Sequence, residues 1–387
     1  MFSCGLWSVV CGLFLTGCAL VVPITPRVPA AAGSSSPGTP QSYRDYTGVI
    51  HVHTVYSDGG GTFEELGRIA NQQHLDYLIV TDHNTLQAQQ DGKQGWYGMT
   101  LILVGTEIST PGGHYVALNV HREISRHQPT QTIIDEVNAQ GGLGFIAHPY
   151  YKRRRWTDWS VHGMAGIEGF NMAHEVLDVS WVRLALSALT SPAEPLYLSF
   201  VQRPYDPLAT WDELIQRHGR IVGIGSSDAH GLRVLGLKIT PYEIMFKLIR
   251  THLLIPQNTK LSEQSVYDAL KQGHAFFSID LLTDASGFTF SVQDDSGSHG
   301  VMGDEIAFVP GLSLRAALPA PADLVLFKDG RAMANTHAAL WQLPIAEPGV
   351  YRLEASQKGQ PWIFSNPIHI RPAPARHQTS DIRPQSS

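Results

Sequence analysis

Gly48-Val-Ile-His-Val-His-Thr-Val-Tyr-Ser-Asp-Gly-Gly60 is the stretch whose reading decides both the fold and the chemistry of this 387-residue chain. Val49 and Val52 are β-branched and Ile50 is apolar, which predicts a short buried strand running into a glycine-rich turn. His51 and His53 lie two residues apart, so on a strand both imidazoles point to one face. Buried strands normally carry Val or Leu at such positions. Two imidazoles followed by Asp58 instead gather nitrogen and oxygen donors at one point. Taken alone, the stretch reads equally well as a pair of hydrogen-bonded core histidines, because buried polar groups are costly unless paired.

Working outward, further strands alternate with helices, and their ends repeat the pattern. Tyr77-Leu-Ile-Val80 runs into Thr81-Asp82-His83-Asn84, and Leu101-Ile-Leu-Val104 runs into Gly105-Thr106-Glu107. His114 opens an extended run to Val120. Leu143 to Ala147 ends at His148-Pro149, and Ile221 to Ile224 leads to Ser227-Asp228-Ala229-His230. Thr62-Phe-Glu-Glu65 reads as a capping box opening one helix, while Thr130–Ala139 and Trp211–Arg217 read as two others. This alternation predicts an α/β fold with a parallel sheet, and so many strands in so short a span suggest a closed barrel. Nearly every candidate ligand falls at the carboxyl end of a strand, where barrel enzymes carry their chemistry. Five such coincidences exceed what core satisfaction explains.

The ends of the chain have a different texture. Phe2 to Val22 is apolar and without an acidic residue, and Leu15-Thr16-Gly17-Cys18 has the form of a lipobox; all three cysteines lie within residues 1–18. The expected leader is 1–18, with Cys18 lipidated, although no Lys or Arg precedes Arg27 and a plain signal peptide or retained anchor also fits. Residues 19–45 read as a Pro/Ser-rich tether. The expectation is an exported, periplasmic or cell-surface lipoprotein held to the membrane by its lipid. Beyond Gly287, short strands separated by turns such as Asp329-Gly330 predict a small all-β sandwich over 286–372, followed by a polar tail over 373–387. A net charge of -6 offers no polycation for a nucleic-acid backbone, so only short oligonucleotides stay in view. The body of the chain has no thiolate to offer a metal, but there are 18 histidines.

His51-x-His53-Thr-x-x-Ser-Asp58, Thr81-Asp82-His83-Asn84, Gly105-Thr-Glu107, Gly113-His114, Ala147-His148-Pro149 and Ser227-Asp228-Ala229-His230 together resemble the successive motifs of the PHP (polymerase and histidinol phosphatase) superfamily, across residues 46–285. The resemblance implies a distorted (β/α)7 barrel with two or three divalent ions, Zn, Mn or Fe, in its mouth. It implies that His51, His53, Glu107 and Asp228 hold one ion, that Glu107 bridges to a second held by His114 and His148, and that Asp58, His83 and His230 hold a third. Gly273-His-Ala-Phe-Phe-Ser-Ile279, Gly349-Val-Tyr351 and Trp362-Ile-Phe-Ser-Asn-Pro-Ile368 resemble the exported CehA/McbA-type metallohydrolases, which carry a trailing β-sandwich.

The implied activity is a multinuclear metal-dependent hydrolase using metal-activated hydroxide on a small-molecule substrate, most simply a phosphoesterase. Glu107, Asp228, His230 and Arg233 are the residues expected at the reaction. Arg153, Arg155 and Arg233 are the candidate anion clamp, since guanidinium geometry suits phosphate or carboxylate. A solvated basic loop is the plainer reading of Lys152-Arg-Arg-Arg155. Asp82 reads either as an orienting partner of His83 or as a helix N-cap. Tyr150, Tyr151, Trp156 and Trp159 read as a pocket wall or as rim packing, and His174 as a general acid or a surface histidine. Two competitors stand beside the phosphoesterase: a carbamate, ester or amide hydrolase with the same metals, and a non-catalytic metal-binding surface module. The oligomeric state is left open by these features. If Cys18 is lipidated, Cys18→Ser should move the protein from the membrane fraction to the soluble periplasm or leave it unprocessed; unchanged fractionation and N-terminal mass would refute that.

Overall fold

Among the described residues, thirteen strands lie between Tyr43 and Ser278, and their order explains how distant motifs meet. The computed structural model describes residues 43–173, 193–231 and 240–373, with the backbone of 233–234 and 237–238 between them. The leader and Cys18, the linker up to residue 42, His174, the side chain of Arg233 and the tail from 374 lie outside the described residues. In chain order the strands are β1 (Tyr43–Ile50), β2 (Tyr77–Val80), β3 (Gly95–Tyr97), β4 (Thr100–Val104), β5 (Thr106–Thr110), β6 (Gly113–Leu118), β7 (Leu143–Ile146), β8 (Gly166–Asn171), β9 (Val222–Ser226), the short β10 (Arg233–Val234) and β11 (Leu237–Lys238), β12 (Arg250–Pro256) and β13 (Ala275–Ser278). The helices among them are α1 (Phe63–Gln72), α2 (Gln87–Gln90), α3 (Thr130–Ala139), α4 (Ala193–Leu198), α5 (Tyr205–His218), α6 (Tyr242–Leu248) and α7 (Glu263–Gln272).

The fold is mixed α/β and rich in sheet, and it departs from the parallel arrangement expected of the alternation. One sheet places β13, β12, β1, β2, β4 and β3 side by side, with only β1–β2 and β2–β4 parallel among them. A five-stranded sheet runs β5 to β9, antiparallel as far as β7 and parallel beyond. Antiparallel pairs arise where the connection is too short for a crossover helix, as between β5 and β6. The two sheets meet along two seams made by the isolated bridges Val52–Ala229 and His83–Glu107. Alternate residues of both sheets, Ile50, Ile79, Leu103, Val116, Phe145 and Ile224 among them, share one interior core. Their neighbours Val49, Leu78, Ile102, Ala117 and Ile167 pack outward in a second core with α1, α3, α5 and α6. Strands buried on both faces read as continuous apolar runs, which is how the sequence presents them.

Local signals place the helices well. Thr62 accepts from the Glu65 amide to open α1, and α3 spans the expected residues. α5 begins at Tyr205, earlier than the apolar stripe from Trp211 suggests, because Pro204 and Pro207 sit in positions where a first turn tolerates proline.

The C-terminal part is β14 (Thr289–Asp294), β15 (Gly297–Val301), β16 (Glu305–Ala307), β17 (Ser313–Lys328), β18 (Arg331–Pro344), β19 (Gly349–Gln357), β20 (Gln360–Ser365) and β21 (Ile368–Arg371). Asp329 and Gly330 take positive φ of 51° and 78° at the β17–β18 turn. β20 pairs with β13, so the large sheet continues unbroken from the first part of the chain into these strands. Leu254 and Phe276, from β12 and β13, are buried in the same core as Phe290, Leu326 and Trp362.

His252 holds this junction from within. Its Nδ1 lies 2.9 Å from Asp45, its Nε2 lies 3.4 Å from Asp280, and its ring stacks on Phe276 at 4.3 Å. Burial opposes a charge there, but the fields of Asp45 and Asp280 and their hydrogen bonds push the pKa up to about 10. In the unfolded chain the proton leaves near the ordinary value of about 6.5, so the ionic contribution is complete below that pH and is lost as pH rises through 10. His252→Gln should therefore destabilise the protein by about 3–5 kcal/mol at pH 6 in urea unfolding, with a smaller difference from wild type at pH 10.

Candidate metal centre

Every one of the nine expected ligands lies at or beside the seams, and the backbone turns sharply to put them there. β1 stops at Ile50, one residue before His51, whose φ is 67°. Asn84, His148 and Asp228 also have positive φ, at 54°, 29° and 49°. Non-glycine residues rarely adopt this region, and where they do so next to one another the strain marks a functional site. The seam hydrogen bonds hold these turns, with His53 N donating to Ala229 O at 3.0 Å and Asn84 N to Glu107 O at 3.0 Å. Tyr242 OH sits between the carbonyls of His53 and His230, at 2.8 and 2.9 Å.

Glu107 and His114 depart from the strand-end rule. The chain passes from one sheet to the other at Gly105, where a Cβ would stand 2.6 Å from Ala117 O, and Glu107 lies inside β5. In the β5–β6 register Ser109 faces His114, so the pleat brings Glu107 and His114 to the same face two residues out of step.

Glu107 is the hub. It is 1% exposed, and its Oε2 lies 3.2 Å from His51 Nε2 and 3.3 Å from His53 Nε2. Its Oε1 lies 2.7 Å from His114 Nδ1 and 2.8 Å from His148 Nε2. Asp228 Oδ1 closes on the first pair, 3.2 Å from His53 Nε2 and 3.5 Å from His51 Nε2. Asp58 stands 3.4 Å from His230 Nε2 and 3.6 Å from His83 Nε2. His53, Asp58, His83 and His230 form one set of donors within 4.8 Å of one another, and overlapping sets are His51–His53–Glu107, His51–His148–Asp228 and His83–Glu107–His114.

The electrostatics follow from crowding. Burial opposes charge on His51 and His53, yet the neighbouring carboxylates win, holding His51 well above the usual histidine range and pushing His53 up to about 9. Burial likewise opposes a charged Glu107, and His51, His114 and His148 hold it well below the carboxylate range. His83 is pushed down to about 4, chiefly by burial. Six imidazoles and three carboxylates without a thiolate suit Zn²⁺, Mn²⁺ or Fe²⁺, and His53 Nδ1 is buried with no hydrogen-bond partner. A divalent ion answers both features, displacing the protons that the carboxylates otherwise keep on the rings.

The surrounding shell holds a residue the motifs did not single out. Glu168 of β8, fully buried, holds His51 Nδ1 at 2.5 Å, accepts from the His148 amide at 2.7 Å and from Asn171 Nδ2 at 2.9 Å. A glutamate in Gly166-Ile-Glu-Gly-Phe170, inside an otherwise apolar strand, was the available signal. Asp82 takes neither expected role: it accepts from Thr54 N, Thr54 Oγ1 and Ser57 Oγ at 2.8, 2.6 and 2.6 Å, pinning the turn after His53.

The basic loop resolves differently from its expected clamp. Arg153 is exposed and Arg155 lies over the Tyr150 ring at 5.2 Å, while Arg154 Nε reaches His114 Nε2 at 3.0 Å. The loop folds back through Trp156 N to Pro149 O, so its middle arginine is the one carried to the cluster. Trp156 is 1% exposed against Tyr115 and belongs to the core. Tyr150 and Tyr151 line a 320 Å³ cavity that opens beside His148, Glu168 and Asn171.

No family profile matches the chain. A curated relative, the uncharacterized protein MJ1587 of Methanocaldococcus jannaschii, is 28% identical over 141 residues, covering 32% of this chain and 81% of that protein. A two-domain protein of Bacteroides vulgatus containing a predicted PHP-like metal-dependent phosphoesterase is 15% identical over 84% of this chain and 95% of its own, with a TM-score of 0.42. An amidohydrolase from Chromobacterium violaceum is 14% identical over 47% of this chain and 87% of its own, with a TM-score of 0.31. Likenesses this distant leave the chemistry to be read from the cluster itself.

Purified protein should carry two or three transition-metal ions per chain by elemental analysis, and Glu107→Gln should lose more than one. Glu168→Gln should weaken metal binding by about 10- to 100-fold in a chelator competition without abolishing it. Retention of the full metal complement by Glu107→Gln would refute its central position.

Proposed function

We propose that the chain is an exported metal-dependent hydrolase of the PHP type, acting as a phosphoesterase on small phosphomono- or diesters. The observation that carries the reading is the buried Glu107 carboxylate, whose two oxygens face separate histidine groups. In this reading the two sheets and their seams are a distorted (β/α)7 barrel, and the strands over 286–372 are an attached sandwich. Lipidation at Cys18 and a periplasmic or cell-surface location belong to the same proposal and rest on Leu15-Thr16-Gly17-Cys18 alone.

His51, His53, Glu107 and Asp228 would hold one ion, Glu107 with His114 and His148 a second, and Asp58, His83 and His230 a third. Bound divalent ions supply Lewis acidity toward the ester and make hydroxide available near neutral pH. The chain prepares its donors for this. Glu168 takes the Nδ1 proton of His51, and the Asp228 carbonyl accepts from His230 Nδ1 at 2.8 Å. Both rings therefore present an Nε2 lone pair to the centre. Arg154 reaches the cluster from an exposed loop, and its planar fork suits two oxygens of a phosphoryl group. A neutral carbamate, ester or amide is the second reading, favoured by the Tyr150 and Tyr151 rings on the cavity wall.

The two readings separate on charge. Arg154→Ala should lower kcat/KM for a phosphoester by about 10²-fold, roughly 2–3 kcal/mol, with smaller effects for Arg153→Ala and Arg155→Ala and little change for a neutral ester. A panel in which Arg154→Ala leaves phosphoester turnover at the wild-type level, while Tyr150→Ala abolishes cleavage of a carbamate, would establish the second reading instead.

A further inference from the structure

The donors of the metal centre fall into a buried group and an outer one, and each is braced from a different part of the chain. His51, His53, Glu107, His148 and Asp228 are buried, and Glu168 of β8 stands behind them through His51 Nδ1 and the His148 amide. The outer group is His53, Asp58, His83 and His230, in which the Asp58 side chain is 55% exposed. Its brace is Tyr242, buried at the start of α6. The Tyr242 hydroxyl lies 2.8 Å from His53 O and 2.9 Å from His230 O, and its oxygen accepts from Gly61 N at 3.1 Å. A hydroxyl offers one proton and two lone pairs, so a single group meets three backbone positions.

Two of those positions carry a donor, and the third closes the turn that carries Asp58. The turn starts after His53 and ends at Gly61, where Val55 N donates to Gly61 O at 3.1 Å and Gly60 N to His230 O at 2.8 Å. Glycine at 61 and 231 makes room for the phenol ring. A Cβ on Gly231 would stand 2.3 Å from Tyr242 Cε2, and one on Gly61 would stand 2.8 Å from the same atom. α6 holds the ring from behind, because Met245, Phe246 and Leu248 are buried in the core that also takes Leu66 and Ile69 of α1. The other contacts of the cluster have their own supports. His83 is followed by Asn84, whose amide donates to Glu107 O at 3.0 Å, and the His53 amide is held by Ala229 O at 3.0 Å.

We propose that Tyr242 is a positioning residue for the outer group, and that its hydroxyl governs the affinity of the ion held by Asp58, His83 and His230 without governing that of the ions around Glu107. The proposal rests on the three-ion reading of the centre and adds that its two parts load separately. The reason is preorganisation. Asp58 is half in solvent on a turn, so its order before an ion arrives depends on what fixes the ends of that turn. Glu107 lies inside β5 and is fixed by sheet register instead.

The test titrates metal-free protein with Co²⁺ and follows visible absorbance and heat. Asp58→Asn identifies the outer binding step, as the step it weakens. Tyr242→Phe keeps the ring and removes only its oxygen. It should weaken the Asp58-dependent step by about 10- to 100-fold and leave the tighter steps at their wild-type affinities. The Co²⁺ absorbance it loses should be the band that Asp58→Asn loses. In the double variant Tyr242→Phe should add little, because both changes act on one ion. Gly61→Ala crowds the ring from the turn without altering a donor, and should shift the same step if Tyr242→Phe does not fold. Equal weakening of every step, with a lower melting temperature of the metal-free protein, would overturn the positioning role in favour of a general structural one. An Asp58-dependent step that Tyr242→Phe leaves unchanged would overturn it too, with the three-ion reading intact. A wild type lacking any Asp58-dependent step would refute the outer ion and the proposal with it. The expected shift, in a protein whose loaded wild type hydrolyses no ester, would keep the positioning role and refute the hydrolase.

Discussion

A carboxylate buried at the meeting of two sheets is the constraint on which the rest of this structure depends. Removing a charge from water costs several kcal/mol even after relaxation, and Glu107 is tolerated only because each oxygen faces imidazoles. Reaching it requires β1, β2, β7 and β9 to end in abrupt turns, three of which put a candidate ligand at positive φ. It also requires Gly105, since a side chain at the crossing from β4 to β5 would collide with the β6 backbone. The strain and the cluster have a common origin: sheets that join through isolated bridges leave their strand ends free to aim side chains inward.

The shell behind the ligands turns a crowd of donors into an oriented set. Glu168 ties His51, the His148 backbone and Asn171 in one network, so the ends of β1 and β7 are joined to β8. Asp82 fixes the turn between His53 and Asp58, and Tyr242 ties the carbonyls of His53 and His230. These groups act on orientation, which decides which ring nitrogen carries a lone pair. That choice matters more to a metal than the number of histidines nearby.

The C-terminal strands are more closely joined to the rest than a linker-separated domain. β20 extends the large sheet from β13, His252 bridges Asp45 and Asp280 at the junction, and Arg352 reaches Asp212 of α5. Buried ion pairs of this kind contribute little net stability compared with replacement by well-packed apolar groups, but breaking one by removing a single partner is costly. Arg203, which lines the cavity beside His148, is tied to β19 through Glu354.

The sequence by itself determined the donor set and most of the elements. Periodicity and capping located α1, α3 and the core strands, because local patterns of apolar residues report directly on which faces are buried. The motif residues His51, His53, Asp58, His83, Glu107, His114, His148, Asp228 and His230 were all legible, and the tertiary structure gathers every one of them. What it could not express was contact between residues far apart in the chain. The choice of Arg154 over Arg153 and Arg155 follows from how one loop folds back onto His114, and the role of Asp82 from a turn that precedes it by some 25 residues. Glu168 looked like an isolated polar residue until β8 lay beside His51 and His148. The union of the C-terminal strands with β13, and their hold on the cavity wall, came from pairing across 85 residues or more of chain. Such pairings depend on sheet order and side-chain geometry, which no local pattern of residues encodes.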